Sequence, residues 1–330
     1  MIDQIEPVRT RRPLLVDEPA SIDGVMAREG KAALGTLGYF LEHPRRAARA
    51  LATDPFEAWT TFWDRRAQAR EMRVSVNYRY DAADDWEQLL HDSLGVSWPC
   101  SATSEFWTLW PEVTGSLQAQ GIRLGPASFS SWNDGDAGLV RAVWCLVRHL
   151  RPRNVVETGV ARGMTSRMIL EALERNAREG TADGRLWSID LPPLDPVWHA
   201  HVRMAVGERF PHRWTYIRGS SRRRLPALLA RLGEIDLFVH DSLHSERNVR
   251  FEADRAWSVL RPGGGLVIDD IDSNRGFRSF RETFSGHRSL VCESEPACPD
   301  PRRYNNKGLF GIILKAPTAE VGQHRERYER

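Results

Sequence analysis

The strongest constraint on the fold is an alternation of strand and helix patterns from Arg153 to Lys315. Short apolar runs are followed by longer segments whose apolar residues recur at helical spacing. Such an alternation predicts a parallel sheet with crossover helices, and the last two strands read as a hairpin-like pair. Between one helix and the fifth strand, Arg261 to Gly265 predict a helix-ending loop. Seven strands are predicted, at 154–157, 186–190, 214–218, 235–241, 265–270, 289–293 and 308–315.

The first predicted strand ends in a glycine-containing turn. Val155 and Val156 form the apolar run, and Glu157, Gly159 and Gly163 interrupt it before a helical pattern begins. In a parallel sheet this turn lies at the carboxyl edge of the strands, where ligands bind, and glycine lets backbone approach a ligand closely. The spacing differs from the Gly-x-Gly-x-x-Gly fingerprint of dinucleotide-binding enzymes, which disfavours a nicotinamide-dependent oxidoreductase.

An acidic residue closes the second predicted strand. The Asp190 carboxylate is placed to accept hydrogen bonds from both hydroxyls of a ribose. An acid at a strand end also serves as a turn former or a helix cap, and this alternative stays open.

The order of these elements resembles the class I S-adenosylmethionine-dependent methyltransferases over about 129–315. The motifs that match are the turn 157–163, Asp190 and the loop after the third strand, Arg218-Gly219-Ser220. The resemblance implies an α/β fold with a Rossmann-like, seven-stranded, mostly parallel sheet and helices on both faces. It also implies that S-adenosylmethionine binds along residues at this edge, namely Glu157, Gly159, Gly163, Thr165, Ser166, Asp190, Gly219 and Ser220.

A second resemblance concerns acids after the fourth and fifth strands. Asp241 and the pair Asp269-Asp270 match the metal ligands of metal-dependent O-methyltransferases, such as the catechol and macrocin-type sugar enzymes. Converging carboxylates repel each other unless a cation or protons neutralise them, and their oxygens suit Mg²⁺ or another divalent cation. The resemblance further implies that Asp241 and His244 are catalytic, with His244 as the general base and His240 as the alternative. Separately solvated strand-end acids remain the other interpretation.

The predicted function is therefore the S-adenosylmethionine-dependent methylation of a hydroxyl on a small natural product, a sugar or a glycan. The alternative is a cofactor-binding protein, or a hydroxylase-like relative, that has the same fold and transfers no methyl group.

Composition narrows the expected partners and location. A net charge of +2 over 330 residues argues against a nucleic-acid partner. No apolar run approaches the ~20 residues that span a bilayer, and the chain start lacks the apolar region of a signal peptide, so a cytoplasmic location without membrane contact is expected. The four cysteines show no Cys-x-x-Cys zinc spacing and are expected to be reduced, although Cys292 and Cys298 are near enough in sequence to pair.

Three segments are predicted: a mainly helical extension over 1–128, a cofactor-binding domain over 129–316 and a charged tail over 317–330. Eight of the twelve tryptophans lie between Trp59 and Trp144. Core packing is the default role for such side chains, while a lid over the substrate is the alternative. Related enzymes assemble through N-terminal segments, so a homo-oligomer is a further expectation. Residues 129–138 are rich in turn formers and predict a substrate or cofactor loop.

Overall fold

A computed structural model describes residues 51–52, 55–73, 80–129, 132–191, 196–299 and 307–317, together with positions 44 and 48. The chain divides into two compact units, Met1–Ala47 and Ala48–Arg330, and every element described below belongs to the second. The predicted features of 1–43, 74–79 and 318–330 lie outside the described residues.

Two sets of strands and eight α-helices make up the described part of the second unit. A hairpin is formed by β1 (Gly125–Phe129) and β2 (Trp132–Asp134). The strands of the main sheet are β3 (Asn154–Thr158), β4 (Arg185–Asp190), β5 (Trp214–Arg218), β6 (Ile235–His240), β7 (Leu260–Ile268), β8 (Arg288–Glu293) and β9 (Leu309–Leu314). The helices are α1 (Pro55–Arg73), α2 (Trp86–Leu94), α3 (Ser101–Gln118), α4 (Ala137–Leu150), α5 (Met164–Arg178), α6 (Ser221–Leu232), α7 (Glu246–Val259) and α8 (Gly276–Thr283), and a 3₁₀ turn spans Pro196–Trp198.

The main sheet has seven strands among the described residues, in the spatial order β5-β4-β3-β6-β7-β9-β8. The first five of these are parallel, and β9 pairs antiparallel with both β7 and β8. The predicted mostly parallel sheet with a terminal antiparallel pair is confirmed.

Helices cover both faces of this sheet because neighbouring residues of a strand point to opposite sides. Val155 packs into one hydrophobic cluster, with Leu146 of α4 and Met168 of α5. Val156 packs into the other, with Leu229 of α6 and Ala253 of α7. The consecutive valines predicted as a buried strand therefore belong to separate cores, as expected for a layered α/β fold.

Helices α2 and α3 join the first of these cores. Leu90 and Phe106 are fully buried there, and Trp144 is buried beside them with its indole N–H donating to the Ala102 carbonyl at 2.7 Å. Core packing, the default prediction for the tryptophans, holds for Trp144, whereas Trp59 is 60% exposed. The predicted boundary after residue 128 stays a prediction.

Two segments predicted as loops contain regular secondary structure. The turn-rich segment 129–138 contains the second half of the β1–β2 hairpin and the start of α4, which Asp136 caps by accepting from Gly138 N at 2.9 Å. The predicted helix stop is present, because α7 ends at Val259 and Gly263 has a φ of +74°, but residues 261–265 lie inside β7 rather than in a loop. A Cβ at Gly264 would lie 2.7 Å from the Asp236 carbonyl oxygen, so glycine here lets β7 approach β6.

All four cysteines are free thiols, so Cys292 and Cys298 do not pair. None of the helices in the described ranges combines the length and the hydropathy that crossing a membrane requires.

Candidate active site

The carboxyl ends of the parallel strands meet at one edge, where backbone hydrogen bonds continue the ladder beyond the strands. The turns that follow β3, β6 and β7 are thereby fixed to one another. These bonds run from Gly159 N to Ile189 O at 2.9 Å, from Asp241 N to Thr158 O at 2.8 Å and from Asp269 N to His240 O at 2.9 Å.

Gly159 is required at this edge by the neighbouring strand end. Its φ is +86°, and a Cβ at this position would lie 1.8 Å from the Asp241 carbonyl oxygen. The sequence analysis explained this glycine by a ligand that lies close to the backbone. In the structure, the backbone of Asp241 lies there instead. Gly163 precedes α5 with φ +81°, and a Cβ there would lie 3.0 Å from Val206 Cγ2.

The predicted metal ligands and the predicted base form one cluster. His244 Nδ1 lies 3.2 Å from Asp270 Oδ2. Its Nε2 lies 3.7 Å from Asp241 Oδ1 and 4.0 Å from Asp269 Oδ2. One ligand atom each from Asp241, His244 and Asp269 lie within 4.8 Å of one another, which is compatible with a shared cation. The imidazole therefore lies among all three predicted ligands.

Asp270 reaches the imidazole from a left-handed backbone conformation. Its φ is +52°, which aspartate tolerates better than most residues. The conformation is held by the Asp270 carbonyl oxygen, which accepts from Ser273 N at 3.0 Å and from Ser273 Oγ at 2.7 Å. Asp269 and Asp270 follow β7, which ends at Ile268, so the turn rather than the strand sets their directions.

The carboxylates of this cluster repel one another when no cation is bound between them. About a third of the Asp241 side chain is accessible (34%), yet protein atoms closely surround it. This desolvation, and then the negative charges of Asp270 and Glu157, raise the pKa of Asp241 well above its ordinary value. A bound divalent cation would offset these charges, so the donor set fits such an ion.

His240, the alternative base, is fully buried. Its Nδ1 lies 2.6 Å from Glu252 Oε2, and neither side chain has any exposed surface. Burial alone would raise the pKa of Glu252, but the charge of His240 and hydrogen bonds from His240, Ser221 and Thr158 lower it to about 2. His240 therefore belongs to the core beneath the edge and is out of reach of a substrate.

Asp190 lies at the edge beside the first turn. Its Oδ1 accepts from Val160 N at 3.2 Å, and its Oδ2 accepts from the Tyr216 hydroxyl at 3.3 Å. The surrounding protein desolvates the carboxyl group and raises its pKa to about 6, against these two hydrogen bonds. The carboxylate is thus fixed in direction.

Glu157 and Ser166 lie below this edge, inside the core. Glu157 is 1% exposed, and its Oε2 accepts from Ser166 Oγ at 2.6 Å and from Ser188 Oγ at 2.7 Å. Burial raises the pKa of Glu157 to about 7. The two predicted cofactor residues therefore contact each other, while Thr165 lies half-buried in the first turn of α5.

Ser220, predicted to border the adenine, contacts the N-terminal part of the chain. The Glu57 carboxylate of α1 accepts hydrogen bonds from Ser220 N and, at 2.8 Å, from Ser220 Oγ. A salt bridge of 2.8 Å between Arg222 and Asp64 attaches α1 to α6 as well. The sequence analysis did not identify Glu57, because the residues around it in the helix give no sign that it contacts Ser220. Gly219 N donates to the Asp190 carbonyl oxygen at 2.9 Å.

Arg162 is a second residue that sequence reasoning did not assign. It is 3% exposed, pairs with Asp134 at 2.7 Å and lies over the Phe129 ring at 5.2 Å. A buried arginine needs a partner, and here it joins the β1–β2 hairpin to the turn after β3. The only signal in the sequence was an arginine placed directly before Gly163.

Part of the chain matches the model of a known family. Residues 156–271, about a third of the chain, match the model of a family described as a methyltransferase domain. This segment is a methyltransferase domain. The match covers β3 to the turn after β7, and therefore includes Asp190, Asp241 and His244. The enzyme class predicted from the sequence is confirmed at this level.

Similar solved structures include two bacterial O-methyltransferases. TomG from Streptomyces achromogenes is 17% identical, with a TM-score of 0.43 over 70% of this chain and 96% of that one. An O-methyltransferase from Bacillus cereus is 14% identical, with a TM-score of 0.44 and the same coverage of both chains. No curated protein matches the chain.

Proposed function

We propose that the methyltransferase domain transfers the methyl group of S-adenosylmethionine to a hydroxyl oxygen of a small-molecule or saccharide acceptor, with a divalent cation. The observation that carries this proposal is the position of His244. It lies between Asp270 on one side and the Asp241–Asp269 carboxylates on the other, at the carboxyl edge of the sheet.

Asp270 determines which nitrogen of His244 is basic. At 3.2 Å, Nδ1 is close enough to donate to the Asp270 carboxylate, and the tautomer with its proton on Nδ1 has the lone pair on Nε2. That lone pair faces Asp241 and Asp269. A carboxylate that orients an imidazole in this way is the arrangement by which many enzymes prepare a general base. We assign to Nε2 the removal of the proton from the acceptor hydroxyl.

Asp241 and Asp269 supply the carboxylate ligands for the cation, most suitably Mg²⁺. A divalent cation, when bound, lowers the pKa of a hydroxyl group and orients its oxygen. The two aspartates belong to different turns, and the hydrogen bonds of Asp241 N and Asp269 N hold the backbones of these turns side by side. Asp270 is assigned to His244 rather than to the cation.

Asp190 is assigned to the ribose hydroxyls of S-adenosylmethionine. Val160 N and the Tyr216 hydroxyl hold the carboxylate beside the turn of β3, which leaves acceptor capacity on both oxygens. The Glu57 contact at Ser220 places α1 next to the side assigned to adenine. Alignment of the methyl donor and the acceptor oxygen then supplies the proximity that methyl transfer needs.

The test uses S-adenosylmethionine with a labelled methyl group, a panel of hydroxyl acceptors and chelator-treated protein with or without Mg²⁺. Label should appear on oxygen and should require the cation. Cofactor binding without label transfer to any acceptor would favour the non-methylating alternative.

Variants at His244 separate a base from a metal ligand. For a base, His244→Ala should lower turnover by about 10²- to 10⁴-fold and leave the affinities for Mg²⁺ and S-adenosylmethionine unchanged. Loss of Mg²⁺ affinity in parallel with turnover would make His244 a ligand instead. His212→Ala, an exposed histidine just before β5, is the matched control and should have no effect.

A further inference from the structure

A second cluster of metal-binding side chains lies on the three helices α2, α3 and α4. Cys100 Sγ is 3.0 Å from His91 Nε2 and 3.3 Å from His149 Nε2. These three ligand atoms lie within 4.8 Å of one another. His149 is five residues before the start of β3, so the cluster lies toward the amino ends of the strands. The acidic cluster of the candidate active site is at their carboxyl ends.

A fourth side chain, Cys145, lies nearby but outside the group of three mutually close ligand atoms. It shares a face of α4 with His149, four residues away, a spacing at which helices commonly present two ligands to one metal. Thr103 Oγ1 lies 3.4 Å from Cys100 Sγ and 3.6 Å from Cys145 Sγ, so both sulfurs border the same hydroxyl. A site of two cysteines and two histidines therefore requires Cys145 Sγ to turn toward the other three ligand atoms.

The hydrogen bonds of His91 orient a lone pair toward the sulfur. Its Nδ1 lies 2.6 Å from the Glu87 carbonyl oxygen, which only accepts, so Nδ1 carries the proton. In the neutral ring, Nε2 is then an acceptor, and it faces Cys100 Sγ. Histidines that bind metals typically donate their outer N–H to a carbonyl or carboxylate in this manner.

We propose that His91, Cys100, Cys145 and His149 bind one zinc ion. Tetrahedral zinc, with bonds of about 2.3 Å to sulfur and 2.0–2.1 Å to nitrogen, separates a sulfur from a nitrogen ligand by about 3.6 Å. The observed separations of 3.0 and 3.3 Å therefore need to widen by only a few tenths of an ångström. The side chains of His91 and Cys145 are buried while His149 is partly exposed, which gives the ion a route of entry.

The site would fix α2 and the start of α3 to α4. This role is structural, because all four ligands are protein side chains and no position is left for a substrate. The cysteines show no Cys-x-x-Cys zinc spacing in the sequence, because the proposed ligands come from separate elements that only the fold brings together.

The full-length chain, expressed in zinc-supplied medium, should contain about one zinc per chain by atomic spectroscopy. After zinc removal, Co²⁺ should bind and give the visible bands of tetrahedral cobalt with a sulfur-to-cobalt charge-transfer band. Zinc should also raise the thermal unfolding midpoint of the metal-free chain.

Two variants and two controls locate the ion. Two substitutions remove a proposed ligand, His149→Gln at the accessible side of the site and Cys145→Ser. Each should lower the cobalt affinity by more than the about 10- to 100-fold that is typical when only a residue hydrogen-bonded to a ligand is removed. Cys298→Ser, which changes the exposed cysteine, should bind cobalt as the parent does. Asp269→Asn should keep its zinc, because that residue belongs to the other cluster.

Two results would overturn the proposal. One is a folded parent chain that binds no more zinc or cobalt than the His149→Gln variant, which would leave a hydrogen-bonded histidine–cysteine core. The other is a thiol titration that finds Cys100 and Cys145 joined as a disulfide in freshly purified protein.

Discussion

Replacing Gly159 with alanine should disrupt the candidate active site through the backbone alone. The new Cβ would lie 1.8 Å from the Asp241 carbonyl oxygen, where ordinary contact begins at 3.4 Å. One of the two turns must therefore move by about 1.5 Å. Such a movement breaks the hydrogen bond from Asp241 N to Thr158 O and shifts the Asp241 carboxylate away from His244.

The magnitude follows from three separable contributions. A left-handed backbone costs alanine about 1–2 kcal/mol relative to glycine. The contact adds about 1–3 kcal/mol of overpacking, and the lost hydrogen bond adds about 1 kcal/mol. Gly180→Ala is the matched control, since Gly180 has φ +71° and a Cβ added there would meet nothing within 4 Å. Gly180→Ala should be destabilised only by the left-handed backbone. Gly159→Ala should therefore be less stable than Gly180→Ala by about 2–4 kcal/mol.

Urea unfolding of both variants gives the free energies of unfolding, and turnover is measured below the transition. A displacement of about 1 Å at reacting groups lowers rates by about 10²-fold, so Gly159→Ala should also be nearly inactive while Gly180→Ala keeps its activity. Equal stabilities and equal turnover in the two variants would refute the claim that the Asp241 backbone makes Gly159 necessary.

Three further predictions concern buried or oriented carboxylates. Asp190→Ala should weaken S-adenosylmethionine binding by about ten- to a hundred-fold in calorimetry, whereas Asp183→Ala, on the surface, should not. Glu157 has a folded-state pKa of about 7, above its ordinary 4.5, so the folded protein binds this proton more tightly and stability is lost as pH rises between these values. Glu157→Gln should remove this loss of stability, which amounts to at most about 3 kcal/mol. If the free energies of unfolding of the parent and the variant change in parallel from pH 4.5 to 7.5, the prediction is contradicted. Glu252→Gln removes the buried carboxylate that lies 2.6 Å from His240 Nδ1 and should lower the unfolding free energy by about 1.5–3 kcal/mol in urea titrations, a loss that a second change of His240 to Leu should partly recover.

The sequence alone determined the sheet and the edge at which the candidate site lies. Strand and helix periodicity is a local property, readable from residues that are neighbours in the chain. Parallel strands with crossover helices place all their carboxyl ends on one side, so Asp190, Asp241 and Asp269 had to lie at that side once the alternation was recognised. The glycine turn after β3 was recognised for the same reason, although its physical cause, the Asp241 backbone, was not.

The tertiary structure decided which side chains contact each other. The sequence offers His244 as the base and His240 as the alternative, and only the packing of α7 against β6 buries His240 on Glu252 while the turn leaves His244 beside Asp270. Glu57 reaches Ser220 across more than 160 residues of chain. Contacts of this kind depend on the distance between whole elements, on the order of 10 Å, and on the direction of each side chain, neither of which local periodicity encodes. The approach of His91 and His149 to Cys100 has the same origin, because α2, α4 and the residue before α3 each supply a candidate ligand that has no metal-binding pattern in its own segment.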